Sequence, residues 1–327
     1  MEVLSGPEGL IYGFVFDRRG GARALAWNEV GDWSPEQGVL WLHFDYTEEA
    51  AQHWLRECSG LDPLVANALL TEDTRPRTTV VDNGLLVALR GVNLNPQANP
   101  EDMVSIRLYV SDALVVSTRK RRLLSVADMV GQMQVGRGPR SSAEFLLELA
   151  DRLVDRMSDT VDEFEDRVAD LEEQVLHSGD GGLRQPLAQL RRQTIGLRRY
   201  LAPEREALVR MASEPLDWLD EGFRLRMREV SDRLVRHIED LDAVRERAAV
   251  TQEELLSRLS DQLNSRLYVL SLVAAIFLPL GFLTGLLGVN VGGIPGADNP
   301  RAFVEFSILL LILVALQVWI FRRKRWL

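Results

Sequence analysis

Eight residues near the C-terminal end of this 327-residue chain share one helical face: Asn264, Leu267, Ser271, Ala274, Leu278, Gly281, Gly285 and Gly288, at spacings of 3, 4, 3, 4, 3, 4 and 3. The other faces carry Leu272, Ile276, Phe277, Leu280, Leu283, Leu286 and Leu287. One side is small or polar and the rest is bulky. Two uses suit such a stripe. Gly281 and Gly285 form a G-x-x-x-G, which lets helices pack closely in a membrane. The same residues can face a narrow conduit, with Leu267 and Leu278 as dewetting constrictions. The polar ends, Asn264 inside and Asn290 outside, favour the conduit.

Other residues with chemical capacity are sparse. Glu305 is the ionisable residue of the apolar runs, and Asp298 is the acid of the loop between them, so these two are the candidate proton or cation sites. An acid inside a membrane is functional by default; its closeness to the interface leaves a solvated or lipid-facing Glu305 as the plainer alternative. Zinc held directly uses Cys, His or carboxylate ligands. The stripe has none, and the histidines His43, His53, His177 and His237 all precede it. His43 and His53 are candidates for a regulatory zinc site, against the commoner structural or exposed histidine. Asp162-Glu163 with Glu165-Asp166 suits either a divalent-ion sensor or a solvated helix face. A single cysteine, Cys58, excludes an internal disulfide and a cysteine-cluster zinc site. Without a phosphate loop, nucleophile elbow or ligand cluster, the chain does not read as an enzyme, and neither a resident cofactor nor a firm metal site is expected.

The elements that position the stripe are two apolar runs, about residues 267–287 and 302–321. Each has the roughly 20 residues that a helix needs to cross a hydrocarbon core of about 30 Å. The second is followed by Arg322-Arg323-Lys324-Arg325, which marks its cytoplasmic end. The loop of residues 288–301 has one cation, Arg301, so both termini are expected in the cytoplasm. Trp319 and Trp326 fit an interfacial belt. Residues 1–266 carry 33 Lys+Arg and 46 Asp+Glu, a net of −13, while the remainder is +3. An acidic cytoplasmic part argues against nucleic acid and is compatible with cationic cargo, or with plain solubility. Residues 1–10 show no cleavable signal peptide, which leaves targeting to the first span.

Residues 1–140 read as an α/β domain. Ile11–Asp17, Val39–Asp45, Leu85–Leu94, Met103–Val110 and Leu114–Thr118 are strand-like, with Ser111-Asp112 as a tight turn. Residues 47–58 and 62–70 look helical, with Thr47 and Asp62 as N-caps and Pro63 as a first helical residue. Arg119–Arg122 is a cationic run that suits an anionic partner or a solvated strand end. From Ser141 the pattern turns to long helices: 141–214 as an antiparallel pair broken near Gly179–Gly182, then a stalk helix of 215–287 that continues into the first span. Leu146, Leu149, Leu153, Met157, Val161, Phe164, Val168, Leu171 and Val175 form one apolar face. Ser141 and Glu144 suggest a capping box. The stalk would be roughly 100 Å long, so it needs partners along its length. Two spans cannot enclose a pore alone, so a channel would require an oligomer.

Gly288-Val289-Asn290, with Phe282–Leu287 before it, Val291-Gly292-Gly293-Ile294-Pro295-Gly296 after it and a Lys/Arg-rich ending, resembles the CorA-type divalent cation transporters. Val289 stands where that family's Gly-Met-Asn signature has methionine, and the loop is similar to the ZntB-type zinc transporter branch, as are residues 102–108 and 117–119. The resemblance implies a homopentamer in the bacterial inner membrane. It implies a funnel-shaped αβα cytoplasmic domain and a pore lined by the first span. Asn290 would form the selectivity ring and Asn264 a polar ring near the inner end. The implied cargo is Zn²⁺, alternatively Mg²⁺, Co²⁺, Ni²⁺ or Cd²⁺, with proton-linked uptake for the zinc branch and passive flow for the magnesium branch. A ring of Asn carboxamides hydrogen-bonds the waters of a hydrated ion without stripping them. A membrane-anchored coiled-coil adaptor is the reading from another class; it needs neither the stripe, nor Asn290, nor ion flux.

Overall fold

The computed structural model describes residues 7–72, 74–178, 181–288 and 299–324. The chain divides into two compact units, the first ending at Glu253 and the second beginning at Glu254.

In the first unit, strands β1 (Leu10–Phe16), β2 (Ala22–Ala24), β3 (Val39–Asp45), β4 (Arg77–Val81), β5 (Gly84–Gly91), β6 (Val104–Val110) and β7 (Leu114–Arg119) form one seven-stranded sheet in the order β2-β1-β3-β7-β6-β5-β4. Only β3 and β7 run parallel, with Leu40 opposite Leu114 and Asp45 opposite Arg119. Side chains alternate across β3. Leu40, Leu42 and Phe44 join Val15, Val116, Leu55 and Leu69 in a core beneath α1 (Glu49–His53) and α2 (Pro63–Leu70). Trp41 takes the other face, where its ring lies 4.9 Å from that of Phe145. Burying one such side chain stabilises the fold by about 1.5–3 kcal/mol. Gly38 makes the entry to β3 possible: its φ is +130°, and a Cβ there would lie 2.0 Å from Phe16 O.

Local polar contacts set the helix starts. Asp62 caps α2, its Oδ1 accepting from Leu64 N at 2.7 Å, with Pro63 as first helical residue. Thr47 does not cap α1. Its N–H and hydroxyl both donate to Asp45 Oδ1, forming a turn, so α1 begins at Glu49 and runs on as a π turn, Trp54–Cys58. Helix α3 (Leu124–Gln134) and strands β2 and β4 lie outside the runs that the sequence marks.

Helix α4 (Ser142–Ser178) buries all nine of its predicted face residues, from Leu146 to Val175. Its start is a shifted capping box: Ser141 Oγ accepts from Glu144 N at 3.1 Å, while the Glu144 carboxylate accepts from Arg140 N at 2.7 Å. Helix α5 (Arg184–Ser213) continues through Pro203. Helix α6 (Glu221–Leu287) starts six residues later than the stalk expected from Pro215, because residues 216–219 form a turn and Asp220 Oδ1 accepts from Phe223 N at 2.6 Å. Within the first unit, Phe223, Met227, Val230, Leu234, Leu241, Val244 and Ala248 of α6 are buried. Arg233 pairs with Asp151 of α4, Arg247 with Glu172 at 2.6 Å, and Asp242 with Arg198 of α5 at 2.7 Å.

The second unit holds the remainder of α6 and α7 (Ala302–Arg323). Both helices contain a segment long and apolar enough to cross a membrane. Phe306, Ser307, Leu310, Leu313, Val314, Gln317 and Val318 of α7 are half-buried and Phe321 is buried, a single helical face.

Candidate functional site

In the apolar run of α6, residues 267–287, the half-buried residues are Leu272, Ile276, Pro279, Leu280 and Leu283, again one face. The amide of Gln317 on α7 reaches that region, with Nε2 3.5 Å from Ala275 O. So α7 lies along part of the bulky side of α6, while Phe277, Leu286 and Leu287 of that side remain exposed. Leu267, Ser271, Ala274, Leu278, Gly281, Gly285 and Gly288 are all exposed, as is Asn264. Leu267 and Leu278, the two expected constrictions, are 59 % and 73 % exposed. A Cβ added at Gly281 or Gly285 would meet nothing within 4 Å. The G-x-x-x-G therefore makes no close packing seam with α7. Thr284, between the glycines, satisfies its own hydroxyl on Leu280 O at 2.9 Å and Gly281 O at 3.1 Å.

Gly288 closes the helix, its N–H on Thr284 O at 2.9 Å. Val289, Asn290 and Asp298 lie outside the described residues. Glu305 is exposed in the first turn of α7, off the face turned to α6. There its charge suits the partial positive end of the helix. The preceding turn is closed by Asn299, whose Oδ1 accepts from Arg301 N at 3.0 Å.

The candidates of the first unit lie apart from one another. His43 is fully buried in the sheet and stacks on Tyr12 at 5.9 Å. Ser117 Oγ accepts from Trp41 Nε1 at 2.8 Å and sits 2.8 Å from His43 Nδ1. Desolvation, with a contribution from Arg119, pushes the His43 pKa down to about 3, so the ring is neutral. The neutral ring carries one proton; its Nδ1 meets Ser117 Oγ, whose hydroxyl also lies 3.4 Å from Leu42 O, and its Nε2 has no partner. His53 is exposed on α1. Asp162, Glu163 and Asp166 are exposed on α4, with Glu165 half-buried beside them. Among the described residues, no three His, Cys, Asp or Glu side chains meet as a metal-holding group. Of the cationic run, Lys120 pairs with Glu72 at 2.5 Å.

Two groups went unnoticed in the sequence. Glu204, on α5, is buried with one carboxylate oxygen accepting from Arg90 N at 3.1 Å; burial pushes its pKa up to about 8 against that hydrogen bond. Its only sequence signal is a carboxylate next to the helix-interior Pro203. Gln317 is the other. A lone amide in an apolar run is its signal.

The family model described as CorA-like Mg²⁺ transporter protein matches residues 36–323. The divalent cation transporter CmaX of Pseudomonas aeruginosa is 43 % identical, over 99 % of this chain and 98 % of its own length. The zinc transport protein ZntB of Yersinia enterocolitica is 39 % identical over the full length of both. The solved structure of full-length CmaX superposes with a TM-score of 0.86 at 41 % identity, covering 98 % of this chain and 100 % of that one. Reach and identity together place this chain in the CorA-like transporter family.

Proposed function

We propose that this protein carries divalent cations across the bacterial inner membrane, as a homopentamer whose central path is lined by the exposed stripe of α6. The observation that carries this reading is the placement of α7: what it half-buries on the first span is bulky (Leu272, Ile276, Leu280 and Leu283), and the small and polar stripe is bare. A stripe without a partner in its own chain needs either other copies or water against it, and a closed ring of copies supplies both. The relatives named for divalent cation and zinc transport support the cargo class.

Zinc is the proposed cargo, and it crosses largely hydrated. The stripe from Asn264 to Gly288 offers no Cys, His or carboxylate that would strip its waters. Asn290 would hold those waters at the outer mouth through its carboxamide oxygen. Cation preference arises from the helix ends: each C-terminus of α6 carries about −0.5 charge, so five would place roughly −2.5 around the entrance. Uptake is proposed to be proton-linked, with Glu305 or Asp298 as the titrating group, and both termini in the cytoplasm.

Passive flow is the second reading, favoured by the absence of any titratable side chain on the stripe and by the outward placement of Glu305. Zinc and magnesium influx into proteoliposomes, with and without an inward proton gradient, separates the two. Zinc entry that rises with the gradient, falls in Asn290→Ala and loses its pH dependence in Glu305→Gln is the expected result. Magnesium entry indifferent to pH would move the protein to the passive class. No flux of either metal through a folded oligomer would sink transport altogether and bring the adaptor reading forward.

A further inference from the structure

We propose that Gln317 is a positioning residue: its amide takes the hydrogen bond that Pro279 removes from α6, and so holds the proline joint of the helix that lines the path. Proline has no N–H, so the carbonyl four residues before it, that of Ala275, lacks its helical donor. Inside a bilayer no water replaces that donor, and an unpaired carbonyl is costly. Gln317 Nε2 lies 3.5 Å from this oxygen, on the face of α7 turned to α6. The match is specific. A glutamine amide offers two N–H donors and one acceptor, and it stands in an otherwise apolar stretch, Ile308 to Phe321. Without the carbonyl of Ala275 this amide would be unpaired in hydrocarbon. Its Oε1 is buried without a donor, so the contact to Ala275 is the one that fixes its orientation.

The joint lies within the stripe. Ser271, Ala274 and Leu278 precede Pro279, while Gly281, Gly285 and Gly288 follow it. A proline in a helix interior bends it. The alignment of the two half-stripes therefore depends on which geometry the joint adopts. An α7 side chain bonded to the freed carbonyl selects one geometry and makes the second span a brace for the first. This consequence rests on the proposed path along α6; the hydrogen bond itself does not.

A cycle of four proteins tests it, with a fifth, Gln317→Asn, beside them: wild type, Gln317→Leu, Pro279→Ala and the double variant. Leucine keeps the bulk and removes the donors. Alanine at 279 restores an N–H to Ala275 O, so Gln317 becomes dispensable. Maximal zinc influx in proteoliposomes should fall about fivefold in Gln317→Leu, the equivalent of one unmade hydrogen bond, with an unchanged KM. In the Pro279→Ala background the same replacement should change influx by less than about twofold. Gln317→Asn, shorter by a methylene, should behave like leucine. Equal losses in both backgrounds, or wild-type behaviour of Gln317→Asn, would overturn the proposal. Thermal unfolding of the same four oligomers in detergent reads the brace without transport. Non-additive midpoints support it, and additive midpoints overturn it. A brace seen in the melts of a protein that moves no cation would remove the proposed path and leave the hydrogen bond in place.

Discussion

Helix α6 lives in two environments. From Phe223 to Ala248 one face (Phe223, Met227, Val230, Leu234, Leu241, Val244 and Ala248) is buried, and Arg233 and Arg247 pair with acids of α4. From Leu256 onward the 3-and-4 spacing continues, yet Leu256, Leu263, Leu267 and Leu278 stand 45–73 % exposed. The first unit has a core of its own: a sheet with helices packed on both faces. The second is apolar outward, with one small-residue stripe left bare. The same periodicity thus means packing in one unit and an open surface in the other. Only the partners available to each segment distinguish them, and for the second the function proposed above supplies lipid and other copies.

The largest effect should come from breaking the closed unit. Trp41→Ala removes a fully buried ring and its hydrogen bond to Ser117. It should cost about 3–5 kcal/mol of unfolding free energy, read by denaturant titration followed by circular dichroism. A loss below about 1 kcal/mol would mean that the sheet face against α4 is loosely packed. Gly281→Leu perturbs the open unit in the opposite sense. With nothing within 4 Å of an added Cβ, and a better helix former in place of glycine, stability should hold or rise by up to about 1 kcal/mol. Zinc influx should nevertheless fall at least about tenfold, because a bulky ring would fill the proposed path of the hydrated ion. Undiminished flux would take Gly281 off the path.

Much of this contrast is legible in the sequence. The α4 face follows from its 3-and-4 spacing, and the strands β1, β3, β5, β6 and β7 from short runs of β-branched and aromatic residues bounded by turn formers. Three elements escape that logic. Strand β2 has three residues, β4 begins Arg77-Thr78-Thr79, and α3 carries a weak apolar pattern interrupted by Gly131. Each is fixed by a neighbour: β4, for example, by its pairing with β5 and by the Thr78 hydroxyl on Ala207 O of α5 at 3.0 Å. The stripe is visible as a pattern, but the face of α6 that α7 takes is not. Gln317 and Ala275 are 42 residues apart, and nothing local links them. Glu204 looks like any helical glutamate until the packing of α5 on β5 removes its water.

That burial gives the closed unit a pH dependence of its own. The folded value of Glu204 is raised from 4.5 to about 8, so the folded chain keeps a proton that the unfolded chain has lost across that interval. The stability it contributes is full below about 4.5 and declines as pH rises toward about 8. His43 acts in the other direction: depressed from 6.5 to about 3, it contributes stability above 6.5 that is lost as pH falls toward 3. Glu204→Gln stays neutral, so its stability relative to wild type should grow from pH 5 to pH 8, by up to about 1.4 kcal/mol per pH unit. Parallel stability curves for the two proteins would show that the carboxyl is already ionised in the fold.

The smallest effect sharpens the comparison most, because it asks whether charge or apolar packing closes the first unit. Arg247 and Glu172 make a two-pronged pair between α6 and α4, at 3.0 and 2.6 Å, with side chains 42 % and 32 % exposed. It is the best-formed of the pairs between these helices, yet water and salt reach it. Glu172→Gln should therefore cost under about 1 kcal/mol, and half a molar salt should erase most of the difference. Val168→Ala, one turn away and fully buried, should cost more, about 1–3 kcal/mol. If the order were reversed, α6 would be held to α4 by its arginines rather than by its apolar face. The spacing of Phe223, Met227 and Val230 would then no longer explain why this half of the helix is covered while the other half is bare.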